Sequence, residues 1–128
     1  PLMDSIVVTN SMLEEYHDDV IAFMECCYDA MDMLVADPEA RAEYAMNLYK
    51  NEGGMTYSDE DMAAEITNVT YWTWDMLEDS PYEFGTTMKQ IGQFFMDQGL
   101  IEEGSMPAIE ASLRKDILDE VVAYHKSK

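Results

Sequence analysis

Two histidines, two cysteines, a few serines and a great many carboxylates make up the reactive side chains of this sequence. His17 stands beside Asp18 and Asp19 where a helix begins, and His125 sits in a terminal stretch expected to fray. Neither belongs to the i, i+4 histidine pair that a zinc-protease helix requires. Ser58 and Ser112 lie outside any G-x-S-x-G turn, which would push a nucleophilic hydroxyl above an α/β sheet. Gly53 and Gly54 are followed by no lysine at the phosphate-loop position. Asp59, Glu60 and Asp61 lack the alternating acid and glycine spacing of a calcium loop, and acids suit a first helical turn because they face its free N–H groups. These patterns point away from an enzyme and call for neither cofactor nor metal.

Cys26 and Cys27 are adjacent, and there is no third cysteine. Neighbours on a helix point about 100° apart, so a disulfide between them would strain the backbone. Two free thiols are expected, Cys27 packing as a small hydrophobe. An aromatic run, Tyr71, Trp72, Thr73 and Trp74, is the other chemically distinctive stretch. At helical spacing Tyr71 and Trp74 share one face and Trp72 and Met76 another, so one side cannot bury them all. Trp74 reads as core, whereas Trp72 is placed to line a cleft, where a flat ring stacks on a heteroaromatic or covers an alkyl group.

The 128 residues carry 7 basic and 27 acidic side chains, a net charge of −20, with 48% hydrophobic residues. Such a chain would repel a phosphate backbone, which excludes nucleic acid as a partner, and would avoid anionic membrane surfaces. It holds too much apolar material for a disordered polyanion. No apolar run approaches the roughly 20 residues that cross a bilayer, so no direct membrane insertion is expected. The opening residues have neither the basic nor the apolar part of a signal peptide.

The pattern of elements is mainly α: about six helical segments after one short strand. Ser5, Ile6, Val7, Val8 and Thr9 are β-branched and apolar in succession, the signature of a strand buried on both faces. Ser11 and Glu14 form a capping box, and Leu13, Tyr16, Val20, Met24, Cys27, Met31 and Leu34 recur at helical spacing behind it. The acids between them read as a solvated face. Asp37 and Pro38 end one helix and open the next, which runs to about Asn51 with Ala42, Ala45, Leu48 and Tyr49 inward. Gly53 and Gly54 stop it. Ser58 with Asp61 starts another, Ser80 and Pro81 break the chain, and a helix over about 82–98 ends at Gly99. Pro107 opens a last helical region carrying Ile109, Leu113, Ile117, Val121 and Val122. No linker divides these pieces, so residues 1–128 read as a single segment, a strand at about 5–10 followed by a helical layer over 11–128.

The strand and the capped helix after it, with Leu13, Glu14, Glu15 and Tyr16 and then Val20, Ile21, Ala22, Phe23 and Met24, resemble the returning hinge strand and helix of ABC-transporter substrate-binding proteins. Asp37 and Pro38 resemble that family's helix break, and Tyr82 to Gly85, Met88 to Ile91 and Phe94 to Ile101 resemble its late helix with a Gly-Leu-Ile turn. The nitrate, sulfonate, taurine and thiamine-precursor binders are the relatives these motifs suggest. The resemblance implies the C-terminal part of an α/β two-lobed, type II periplasmic-binding-protein fold. It further implies an extracytoplasmic location, a small-molecule ligand and an ABC permease as partner in the intact protein. Hinge positions would then lie at Asp4, Ser5 and Asn10, and ligand contacts at Asp4, Ser5 and Asn10, with Tyr71 and Trp72 next. A β-branched strand without neighbours would leave each apolar side chain short of about 1.5–3 kcal/mol of burial, so self-association is expected. The competing expectation is a compact acidic helical protein, a nucleic-acid mimic or immunity-type inhibitor, whose carboxylates block a basic site on a partner.

Overall fold

A computed structural model describes residues 4–128; residues 1–3, read above for a signal peptide, lie outside it. The described chain is helical: α1 (Asn10–Glu15), α2 (His17–Ala36), α3 (Pro38–Asn47), continued by a π turn over Leu48–Glu52, α4 (Asp59–Asn68), α5 (Trp74–Asp79), α6 (Thr86–Asp97), α7 (Met106–Ser112) and α8 (Lys115–Lys126). These elements form two compact units, Pro1–Glu25 with Ser80–Lys128, and Cys26–Asp79.

No strand forms among the described residues, which corrects the reading of residues 5–10. Ile6, Val7 and Val8 are 48%, 88% and 37% exposed. β-branched residues favour extended backbone, but the ladder that makes a strand needs a second strand, and none of the described residues supplies it. The extended stretch ends at Thr9, whose hydroxyl accepts from Met12 N at 3.2 Å and caps α1. Asn10 therefore opens a helix instead of closing a strand, and Ser11, the expected cap, lies inside it.

In the first unit, Leu13, Ile21, Ile117 and Val121 are buried. Leu13 and Ile21 come from the stripe read in the sequence, interrupted where Tyr16 leaves helical geometry between α1 and α2. Helix α6 starts later than its pattern suggested, because Ser80 Oγ accepts from Tyr82 N in a turn, and Gly85 at φ +85° redirects the chain into the helix. A Cβ at Gly85 would stand 2.5 Å from Leu113 Cδ1, so this position is closed to side chains both by torsion and by space. Tyr82 then caps α6, its hydroxyl accepting from Thr87 N at 3.2 Å. Gly92 lets α6 approach α7 so closely that a Cβ there would fall 2.4 Å from Ile109 Cδ1. The last helical region is two helices, α7 and α8, separated at Leu113 and Arg114, where Leu113 is extended and ends α7.

In the second unit, Asp37 caps α3 by accepting from Ala40 N at 3.0 Å, with Pro38 in the first turn, as the sequence suggested. Its end departs from α geometry: Gly53 N donates to Leu48 O, five residues back. Leu48, placed inward by its periodicity, is 57% exposed. Ser58 caps α4 through Asp61 N. The aromatic run is not one helix. Residues 69–73 are non-helical and α5 begins at Trp74, so the two-faced helical arrangement expected for Tyr71 and Trp72 does not exist.

Candidate functional site

Trp74 organises the second unit. It is 7% exposed, its backbone N donates to Asp32 Oδ1 at 3.0 Å and its indole Nε1 to Asp29 Oδ1 at 2.8 Å. The Tyr28 ring lies 5.2 Å from it between centroids. Asp29 and Asp32, both read as members of a solvated face, are thus acceptors for a buried aromatic. The indole needed a partner once its ring was in the core, and the three-residue spacing of the two acids on α2 offers two on one side.

Next to this anchor, Arg41 reaches from α3 to the end of α4. Its Nη2 donates to Ile66 O and Val69 O, both at 2.9 Å, satisfying carbonyls a helix end leaves open. The same guanidinium lies 4.3 Å from the Tyr71 ring centroid. Tyr71 is therefore a lid on a structural arginine, half-buried like its neighbour Trp72. Between α3 and α4 an apolar groove of about 620 Å³ opens, with Met62, 2% exposed, and Ile66 in its lining.

The first unit holds a different arrangement. Glu25 is 2% exposed, and its carboxylate accepts from Lys128 Nζ at 2.7 Å and lies 3.3 Å from His125 Nδ1. The Lys128 hydrogen bond, aided by His125 against the opposing effect of burial, holds Glu25 below the usual carboxylate range. His17 Nε2 is 2.6 Å from Glu120 Oε2. Both histidines tie α2 to α8, and His125 belongs to a helix where fraying was expected. No short-range sequence signal joins residues about a hundred positions apart.

Asp4, Ser5 and Asn10 are exposed in the first unit, the first two on the unpaired stretch and Asn10 in the first turn of α1. Tyr71 and Trp72 are neighbours on the α4–α5 connection of the second. Cys26 is exposed and Cys27 half-buried, both free; burial pushes the Cys27 thiol up, with Cys26 adding to it, the opposite of what activates a thiol.

Over 122 residues, 95% of its length, the chain is 23% identical to a Brachyspira hyodysenteriae protein named as an ABC transporter periplasmic binding protein. The chain spans about a third of that relative, 34% of its length. No family model matches it, and no solved structure does. No helix among the described residues is long and apolar enough to cross a membrane.

Proposed function

We propose that this chain is part of an extracytoplasmic solute-binding protein that captures a small organic or oxyanion ligand for an ABC importer, without chemistry of its own. The observation that carries this reading is the likeness along nearly the whole chain to a protein named for that role. The opening stretch does not support it through a sheet, since its residues lie exposed outside one. The finer assignment, the C-terminal portion of a nitrate-, sulfonate-, taurine- or thiamine-precursor-type binder, rests on the succession of motifs from the capped helix to the Gly-Leu-Ile turn. In this reading Asp4, Ser5 and Asn10 sit at the hinge and ligand edge, Tyr71 and Trp72 contribute ring faces, and Ile6, Val7 and Val8 drive association with further protein. Calorimetric titration of the full gene product with nitrate, taurine and an aminopyrimidine tests it. Saturable binding of one of them, weakened about tenfold by Trp72→Ala through loss of ring contact, is expected. Heats indistinguishable from dilution for all three overturn the reading.

A second reading, an acidic inhibitor of a basic site, is favoured by one observation: Glu25 is the sole buried carboxylate among the described residues, and apart from half-buried acids such as Asp29 and Asp32 the carboxylates are exposed. Binding to a basic protein that falls steeply with salt would support it. Affinity for that protein unaffected by salt would remove it.

A further inference from the structure

We propose that the groove between α3 and α4 is a binding site for an organic cation, a ligand with an apolar body and an ammonium head. This site is separate from the solute-binding reading, because none of Asp4, Ser5, Asn10, Tyr71 and Trp72 lines the groove.

The groove lies within the second unit. Among its lining residues, half-buried Met46 and Ile66 give the apolar surface, with buried Met62 behind them, and Glu39, Glu43 and Asp59 supply the charge. Their positions follow from helix periodicity. On α3, Glu39 and Glu43 stand one turn apart, with Met46 three residues further on. On α4, Asp59, Met62 and Ile66 occupy the facing row at the same spacings. Each helix therefore contributes both acid and apolar surface to one trough. Its volume, about 620 Å³, falls in the range that houses small organic ligands, roughly 300–1,000 Å³.

Charge complementarity decides the occupant. No lysine or arginine lines the groove. The one arginine on α3, Arg41, is committed to Ile66 O, Val69 O and the Tyr71 ring. Among the described residues Glu39, Glu43 and Asp59 make no ion pair, so three carboxylates rim an apolar trough without an internal cation. An anion would meet repulsion from all three, and a neutral apolar molecule would leave their attraction unused. A cation on an apolar stem uses both. Methionine suits such a surface because its unbranched, polarisable chain conforms to ligands of different outline.

Hexyltrimethylammonium, hexanesulfonate and hexanol, titrated into the full chain and followed by ¹H–¹⁵N NMR, test the proposal. The cation is expected to shift the amides of α3 and α4 saturably, the alcohol weakly, and the sulfonate not at all. Glu39→Gln with Glu43→Gln should weaken the cation about fivefold, the size of two partly exposed charge contacts. Glu14→Gln with Glu15→Gln removes the same charge from α1, outside the groove, and should leave its affinity unchanged. Ala63→Trp, which fills the trough from a surface position, should abolish the α3 and α4 shifts. Equal weakening by both double variants would mean that a polyanion attracts any cation, and the proposal falls. It falls equally if the sulfonate binds as well as the ammonium, or if the shifts lie outside α3 and α4.

Discussion

The two units fasten their helices by different means. In the unit built from both ends of the chain, α2 and α8 are joined by ionisable pairs, Glu25 with Lys128 and His125, and His17 with Glu120, alongside buried Leu13, Ile21, Ile117 and Val121. In the unit over Cys26–Asp79 the fastenings are hydrogen bonds from a buried indole and a guanidinium: Trp74 on Asp29 and Asp32, and Arg41 on two carbonyls. The first set includes a buried carboxylate, Glu25, that Lys128 holds below the usual range, whereas the second is built on a buried indole and a guanidinium.

Substitutions separate the two. Trp74→Ala should produce the largest loss, about 3–5 kcal/mol, confined to the second unit and measured by urea unfolding with hydrogen exchange read residue by residue. Equal loss of protection in α8 would erase the distinction drawn here. Ile117→Ala is the counterpart in the first unit, where removal of a buried side chain should cost about 2–4 kcal/mol and leave exchange in α3 and α4 unchanged. Arg41→Ala forfeits two hydrogen bonds and the Tyr71 contact, about 1–3 kcal/mol, with the α4 end losing protection first. Asp37→Ala removes the α3 cap for about 1 kcal/mol, detectable as a lowered urea midpoint.

The subtlest measurement is the shape of a pH profile. Because Glu25 binds its proton less readily folded than unfolded, its contribution is present above the ordinary carboxylate value of about 4.3 and is lost as pH falls through the lower folded value. Stability of the first unit should decline over that acid range, and Lys128→Ala should flatten the decline. An unchanged acid limb in that variant would show that Lys128 does not set the Glu25 equilibrium.

Local chemistry was legible in the sequence and long-range partnership was not. The Asp37 and Pro38 junction and the Ser58 cap were readable because a cap joins groups two or three residues apart. Residues 5–9 misled because β-branched side chains report a torsional preference, while a strand exists only with a neighbour. The aromatic run misled in the same way: a helical phase was read across Tyr71 to Trp74, but Arg41, thirty residues earlier, closes the α4 end and Tyr71 packs on it. Of the candidate site, Tyr71 and Trp72 were noticed for their ring faces. The groove lining was visible only as parts of two separate helical patterns, since nothing in either says that they face each other.

The contact at Gly92 has a consequence for how the sequence can drift. Where α6 meets α7, a single hydrogen occupies the space that any other amino acid would fill with carbon, against Ile109. A methyl group there would make the end of the Ile109 side chain swing aside, since its Cγ1 and Cγ2 already stand at 3.6 and 3.8 Å. A larger residue at 92 is thus accepted only as far as the side chain at 109 can turn away, and a shorter residue at 109 eases its entry.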